Sequence, residues 1–259
     1  MSKAKALVLR AAGTNCDRES QYALEQAGFS VERIHVFRIM ENPAILDEFQ
    51  FLLLPGGFSY GDDIASGKIL ANQMLHKLSD PLNKFVDNGK LVLGICNGFQ
   101  VLIKSGLLPG GKCDPQEAHK QATLAWNDCG MFHCSWVNLR ADSDKCVFLP
   151  KGEVLKLPVA HAEGKFVPLN QDVLTELGQN DQLALRYCDA QGNSEADNIN
   201  PNGSVDNIAG ICDPTGRVMG LMPHPERFIE VENHPKWTRE DIKRADGRLF
   251  FENAFEYLK

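Results

Sequence analysis

Short apolar runs alternating with amphipathic stretches through the first part of the chain constrain its fold more than any other feature. Residues 6–9, 31–36, 51–54 and 91–95 read as strands, and runs as apolar as 51–54 and 91–95 fit strands buried on both faces. Between them, 17–27 predicts a helix closed by Gly28, 61–78 a second, and 81–88 a third with Pro81 in its first turn and Gly89 after it. Strand–helix alternation implies an α/β fold, a three-layer open and mostly parallel sheet with helices on both faces.

Beyond residue 105 the pattern loosens. "LLPGG" and "CDPQ" mark turns, and 124–139 predicts antiparallel strands or an edge hairpin. Strands are expected at 182–187, 208–212 and 218–222, the last after the turn "DPTG" at 213–216, with a loop over 189–207 and a final helix over 239–258 that carries Gly247. No repeat, low-complexity tract or linker divides the 259 residues, so a single domain over 1–259 is expected.

Composition narrows the function classes. A net charge of −7 leaves no basic stripe to neutralise phosphates, which argues against nucleic acid or an anionic membrane as partner. The eight cysteines include no C-x-x-C pair, which fits free thiols in a reducing cytoplasm. The opening "MSKAKALVLR" is too short for a signal core and no apolar run approaches a membrane span, so a soluble, cytoplasmic protein is expected.

Three stretches carry chemistry. In "LVLGICNGFQ" (91–100) an apolar strand runs into Cys96, with Gly94 and Gly98 two residues to either side and a helical pattern following. That is the spacing of a nucleophile elbow, with cysteine in place of serine. Small residues are needed because the turn is strained and neighbouring chain passes close, while the helix N-terminus favours a thiolate. A lone cysteine at a strand end is more often a small buried hydrophobe; the flanking glycines reverse those odds.

In "PGGFSYGDD" (55–63) the loop follows the third strand, and in a parallel sheet it converges on the elbow. Its Gly-Gly pair, Gly56 and Gly57, exposes backbone N–H groups to a developing oxyanion. In "GLMPHPER" (220–227) a strand leads to His224, held between Pro223 and Pro225, with Glu226 two residues on. A cysteine nucleophile needs an acid/base near neutrality, and a carboxylate to orient the imidazole.

Together these residues resemble the class I glutamine amidotransferases, whose glutaminase domain sets a Cys-His-Glu triad on a flavodoxin-like open sheet. The resemblance implies Cys96 as nucleophile, His224 as acid/base and Glu226 as its partner. It further implies oxyanion donors from the backbone of Gly57 and Asn97, and glutamine contacts at Gln100 and near Asn127. Five stretches narrow it to the branch of glutaminase subunits of phosphoribosylformylglycinamidine synthases: "GTNCDRE" (13–19), "PGGFSYGD" (55–62), "GICNGFQ" (94–100), "NPNGS" with "IAGI" (200–211) and "MPHPER" (222–227). "AHAEGKF" (160–166) resembles that branch with Ala162 in place of glycine. In 127–137 the chain departs from it at Cys129 and Ser135, and 229–247 is longer.

What the resemblance implies is glutamine hydrolysis that feeds ammonia to a large synthetase subunit, with a small third subunit completing the assembly. No cofactor is expected in this chain; ATP and magnesium would belong to the synthetase, which aminates formylglycinamide ribonucleotide. Rival readings are an amidotransferase serving another synthetase, a stand-alone cysteine hydrolase, and a non-catalytic module. The intact Cys, His and Glu argue against the last, and "GTNCD" and "NPNGS" against the first.

Other constellations are weaker. Cys113, His119, Cys129, His133 and Cys134 match no common zinc spacing, so no metal is expected. The glycine loop lacks the Lys-Ser/Thr of a phosphate-binding loop. Cys16 lacks elbow glycines and reads as a structural thiol near the loop ends. Asp62 and Asp63 read as a solvated loop or a helix cap.

Overall fold

A computed structural model describes residues 3–116 and 121–259. The alternating first part forms β1 (Lys5–Arg10), α1 (Asp17–Ala27), β2 (Ser30–His35), α2 (Val36–Glu41), β3 (Phe51–Leu54), α3 (Lys68–Lys77), α4 (Ser79–Asp87), β4 (Leu91–Ile95) and α5 (Asn97–Lys104). Then come β5 (Ala122–Ala125), β6 (His133–Ala141), β7 (Val154–His161), β8 (Lys165–Pro168), α6 (Gln171–Gln179), β9 (Leu185–Cys188), β10 (Ile208–Cys212), β11 (Val218–Leu221) and α7 (Arg248–Tyr257). Helix α1 closes at Gly28, whose φ of 112° gives the left-handed cap that returns its N–H to the Leu24 and Glu25 carbonyls.

One nine-stranded sheet has the order β2-β1-β3-β4-β11-β10-β9-β6-β7, and β5 pairs with β8 apart from it. From β2 to β11 the pairings are parallel, in the flavodoxin-like order with β11 as the fifth strand. From β11 to β7 they are antiparallel. Helix α1 packs with α7, and α5 with α3. Right-handed crossovers running in opposite directions from β1 and β3 place these two groups on opposite faces. Strands β3 and β4 are buried at every position, as their apolar runs require.

Two expected helices start later than the sequence suggests, and one pair of alternatives is decided. The helix expected over 61–78 starts only at Lys68, because Tyr60, Gly61, Asp62, Ile64 and Gly67 all take positive φ. The Asp62 carboxylate holds that loop by accepting from the Ser66 hydroxyl and the Gly67 N–H. Of the two alternatives for 124–139, antiparallel strands form and the hairpin does not: β5 joins β8, and β6 lies between β7 and β9, all antiparallel. The last helix starts at Arg248 and not at 239. Gly247 is pressed onto the 225–228 turn, where a Cβ would stand 1.9 Å from the Pro225 carbonyl oxygen, and its N–H bonds the Phe228 carbonyl.

The tightest approach near the centre of the parallel sheet is at Gly98, where a Cβ would lie 1.9 Å from the Leu54 carbonyl oxygen of β3. Gly98→Ala must push α5 off the sheet. It is expected to lower unfolding free energy by about 3 kcal/mol, as overpacking of a tight core does. Urea denaturation checks this, and a wild-type midpoint would refute the contact.

Candidate active site

Strand β4 ends at Ile95, and Cys96 takes φ 51° and ψ −104° before α5 starts at Asn97. A non-glycine residue in that region is strained and persists only where its surroundings hold it. Here the Cys96 N–H is anchored to the Leu221 carbonyl of β11 at 2.8 Å. A Cβ on Gly94 would meet the Gly98 carbonyl oxygen at 2.7 Å, so the two elbow glycines exist because they face each other and β3. The Cys96 sulfur lines a cavity at the carboxyl ends of the parallel strands, 3.7 Å from the Ala160 carbonyl oxygen.

His224 follows β11 and is fixed through its backbone and through one ring nitrogen. Its backbone N–H donates to the Pro158 carbonyl at 2.8 Å, and Nδ1 meets Glu226 Oε1 at 2.6 Å. Both side chains are buried, at 2% and 3% exposure, so this pair is shielded from solvent. Burial opposes a charge on the imidazole, yet the Glu226 carboxylate and then the Cys96 sulfur outweigh it and raise the His224 pKa above its ordinary value. Nε2, facing away from Glu226, has no protein partner. A carboxylate that orients the ring and leaves the other nitrogen for proton transfer is the arrangement of an acid/base histidine.

The glycine loop lies against this pair. A Cβ on Gly56 would stand 2.8 Å from His224 Cε1, and Gly57, at φ 144°, leaves no room for a Cβ against Gly13 and Asn15. Among the described residues, the N–H groups of Gly57 and Asn97 have no protein acceptor. The Asn97 side chain locks the loop to the elbow, its Oδ1 accepting from the Ser59 N–H and its Nδ2 donating to Asp62 and Gln100. Gln100 lines the cavity and donates to the Glu163 carbonyl at 2.7 Å. Asp62 is therefore no solvated carboxylate: burial, with Glu163 adding to it, raises its pKa despite three donors.

Asn127 departs from its expected place as a glutamine contact. All of its side chain is used inside the protein: Nδ2 donates to the Met131 and His161 carbonyls, and Oδ1 accepts from the Gly164 N–H and faces His161 Nδ1 at 3.1 Å. It reaches the cavity only through His161, which lines the wall. Burial, with His224 nearby, pulls the His161 pKa down to about 3.

Cys16 and Arg227 are the residues sequence reasoning undervalued. The Cys16 sulfur accepts from the Arg227 guanidinium at 3.0 Å and lies 3.2 Å from Asn15 Oδ1, and burial raises the thiol's pKa. Among the described residues, Cys16, His224 and Glu226 form the one group whose ligating atoms all lie within 4.8 Å of one another. The donors could hold a metal by type, but the guanidinium on the sulfur sets a cation where another would have to bind. Between the two thiols facing His224, Cys96 has the strained elbow and the free N–H groups, whereas Cys16 is held by Arg227 and Asn15. The available signal was that Cys16 and Arg227 sit inside two of the stretches, "GTNCDRE" and "MPHPER", that carry the family resemblance. Cys113, Cys129, His133 and Cys134 are not brought together, and His119 lies outside the described residues.

Comparison with known proteins agrees with this geometry. A profile of CobB/CobQ-like glutamine amidotransferase domains matches residues 3–258. The chain belongs to this amidotransferase family. Within it, the chain is 42% identical to phosphoribosylformylglycinamidine synthase subunit PurQ of Dehalococcoides mccartyi, covering 100% of this chain and 99% of the relative. It is 40% identical to the protein of the same name from Archaeoglobus fulgidus, over 98% and 97% of the two chains. Among solved structures, "Structure of PurLQS from Thermotoga maritima" contains a chain similar over the full length of both, with 33% identity and a TM-score of 0.76. Among the described residues, no helix of this amidotransferase is long and apolar enough to cross a membrane.

The two site histidines set opposite pH limits. His161, neutral when folded down to about pH 3, binds a proton more readily once unfolded, so stability is present above about pH 6.5 and is lost as pH falls toward 3. His224, with its pKa raised, contributes stability below about pH 6.5 that is lost as pH rises through its folded value. Urea midpoints for wild type should fall on acidification, and His161→Asn should flatten that fall. An unchanged acid slope in the variant would refute the neutral, buried His161.

Proposed function

We propose that this chain hydrolyses glutamine to glutamate and ammonia, and delivers the ammonia to a synthetase subunit. That partner uses ATP and magnesium to convert formylglycinamide ribonucleotide to formylglycinamidine ribonucleotide in purine biosynthesis. The observation that carries the reading is the meeting of Cys96, His224 and Gly57 around one cavity, with Glu226 on the His224 ring and the unpaired N–H of Asn97 next to Cys96 in the chain. The relatives' shared name as a subunit of phosphoribosylformylglycinamidine synthase supports the acceptor and the partner. A small third subunit completes the assembly, and residues 1–259 act as a single unit in the cytosol, where its eight free cysteines stay reduced.

The steps follow from the site. The Cys96 sulfur attacks the carboxamide carbon, and charge builds on oxygen where the N–H groups of Gly57 and Asn97 can receive it. Protonated His224 gives its Nε2 proton to the amide nitrogen, the C–N bond breaks, and ammonia leaves a γ-glutamyl thioester on Cys96. Neutral His224 then takes a proton from water as its oxygen attacks the thioester. Collapse of that second tetrahedral intermediate expels the Cys96 thiolate and glutamate departs, leaving His224 protonated for the next cycle. Glu226 holds the ring and balances the imidazolium throughout. Gln100 and the Glu163 backbone shape the wall against which the amino acid lies.

Mixing the chain with the synthetase subunit separates the readings. Cys96→Ala should cut glutamine-dependent amination by at least about a thousandfold while leaving ammonia-dependent amination intact. Equal loss of both activities, or of neither, would overturn the role. Strong glutamine hydrolysis by the isolated chain would point instead to a stand-alone hydrolase.

A further inference from the structure

The loop from β3 to α3 takes positive φ at Tyr60, Gly61, Asp62, Ile64 and Gly67. Most of these positions are accounted for within the chain. The glycines adopt such φ freely. The Asp62 carboxylate accepts from Ser66, Gly67 and Asn97, and the half-buried Tyr60 packs on the core and donates its hydroxyl to Gln73 Oε1 at 2.9 Å. Ile64 is different. Its φ of 74° is one that a β-branched residue takes only under strain, and at 87% exposure it is the most exposed large apolar side chain among the described residues. Asparagine or glycine would make the same turn without strain and without an apolar group in water. The chain's own fold buries almost none of this side chain.

The same loop forms part of the cavity mouth. Phe58, Asp62 and Ser66 line the cavity, and Ile64 sits between the last two in the chain. The exposed Phe58 ring lies 6.5 Å from the ring of Phe132, a second lining residue, contributed by the segment before β6. Phe132 and its neighbour Met131 are also exposed. Single exposed apolar residues are ordinary, but several gathered around the opening of a polar cavity mark a surface built to be covered.

Resting on the reading that this chain feeds ammonia to a synthetase subunit, we propose that Ile64 anchors that subunit. Its side chain seats in an aliphatic socket on the synthetase, and Phe58, Met131 and Phe132 form the apolar rim beside it. The chemistry of the product argues for this occupant. Ammonia released into water at neutral pH takes up a proton, and ammonium has no lone pair with which to attack an acceptor. The cavity mouth must therefore be closed against water, and the protein that consumes the ammonia is the one positioned to close it. The backbone strain at Ile64 then has a use. A left-handed turn tied down by Asp62 presents a stiff, β-branched side chain in one place before docking, so little freedom is lost when it is buried.

Two variants test the anchor. Ile64→Asn suits the left-handed turn and removes the apolar group, whereas Ile64→Leu keeps an apolar side chain of equal size. Each is titrated with the synthetase subunit, the small third subunit present, and the glutamine-dependent amination rate gives the Kd of the assembly. For Ile64→Asn the expected Kd is about tenfold or more above wild type, as for a buried interface anchor, and for Ile64→Leu it stays within about threefold. Excess synthetase should restore the rate of the Asn variant, and ammonia-dependent amination should be unchanged. The urea midpoint of the free Asn variant should not fall below that of wild type, since strain is relieved and no internal contact is lost. A wild-type Kd for Ile64→Asn, a rate that excess synthetase does not restore, or a lowered urea midpoint overturns the inference while the glutaminase reading stands. So does a dimer of the free chain, seen by sedimentation, that Ile64→Asn abolishes, because the side chain then serves a second copy. If wild type with the synthetase cannot use glutamine, or Cys96→Ala retains that use, the glutaminase reading fails instead.

Discussion

The close approach of α5 to the end of β3, where Gly98 has no space for a side chain against the Leu54 carbonyl, sets the position of nearly everything that matters in the site. It holds the first turn of α5 hard against the sheet, which forces Cys96 into its positive-φ turn and turns the free N–H groups of α5 toward the strand ends. Because β3 continues directly into Pro55-Gly56-Gly57, the same contact brings the glycine loop beside the sulfur. Asn97 then ties that loop down through Ser59 and Asp62. An elbow with alanine at either glycine could keep the sheet order and still lose the alignment of nucleophile and loop.

Electrostatics divides the two buried histidines. His224 has a carboxylate at 2.6 Å and two sulfurs on its other side, so its charged form is favoured against the cost of burial. His161 has no carboxylate partner, and burial with His224 and His133 nearby keeps it neutral. Two groups of one type that line a single cavity are thus pushed apart in pKa by their surroundings.

Much of this was legible from residue order. The alternation of strands and helices through 5–104, the G-x-C-x-G elbow, the Gly-Gly loop and the His-Pro-Glu turn are local patterns, and each depends on backbone geometry within a few residues. Helix α1 matched its expected bounds because its periodicity and its Gly28 cap agree. The end of the chain was misjudged for a non-local reason: helix-forming residues before Gly247 cannot continue a helix whose backbone is pinned to the 225–228 turn. Asn127 was misplaced for the same kind of reason, since only the fold shows that β7 and Gly164 use up its amide.

The sequence by itself determined the α/β class and the parallel half of the sheet, and singled out Cys96, His224 and Glu226 as the candidate nucleophile, acid/base and orienting carboxylate, because these follow from apolar periodicity and from residue types that suit one chemistry. Only the tertiary structure decided what surrounds them. Strand β7 sits at the far edge of the sheet, four pairings from β11, yet the sheet brings it back so that Pro158 fixes His224 and Ala160 and His161 face the cavity. Cys16 and Arg227, distant in sequence, meet there as well. No local pattern encodes such returns: they arise from sheet curvature and packing summed over the whole chain, which is where burial, and with it the charge of each histidine, is settled.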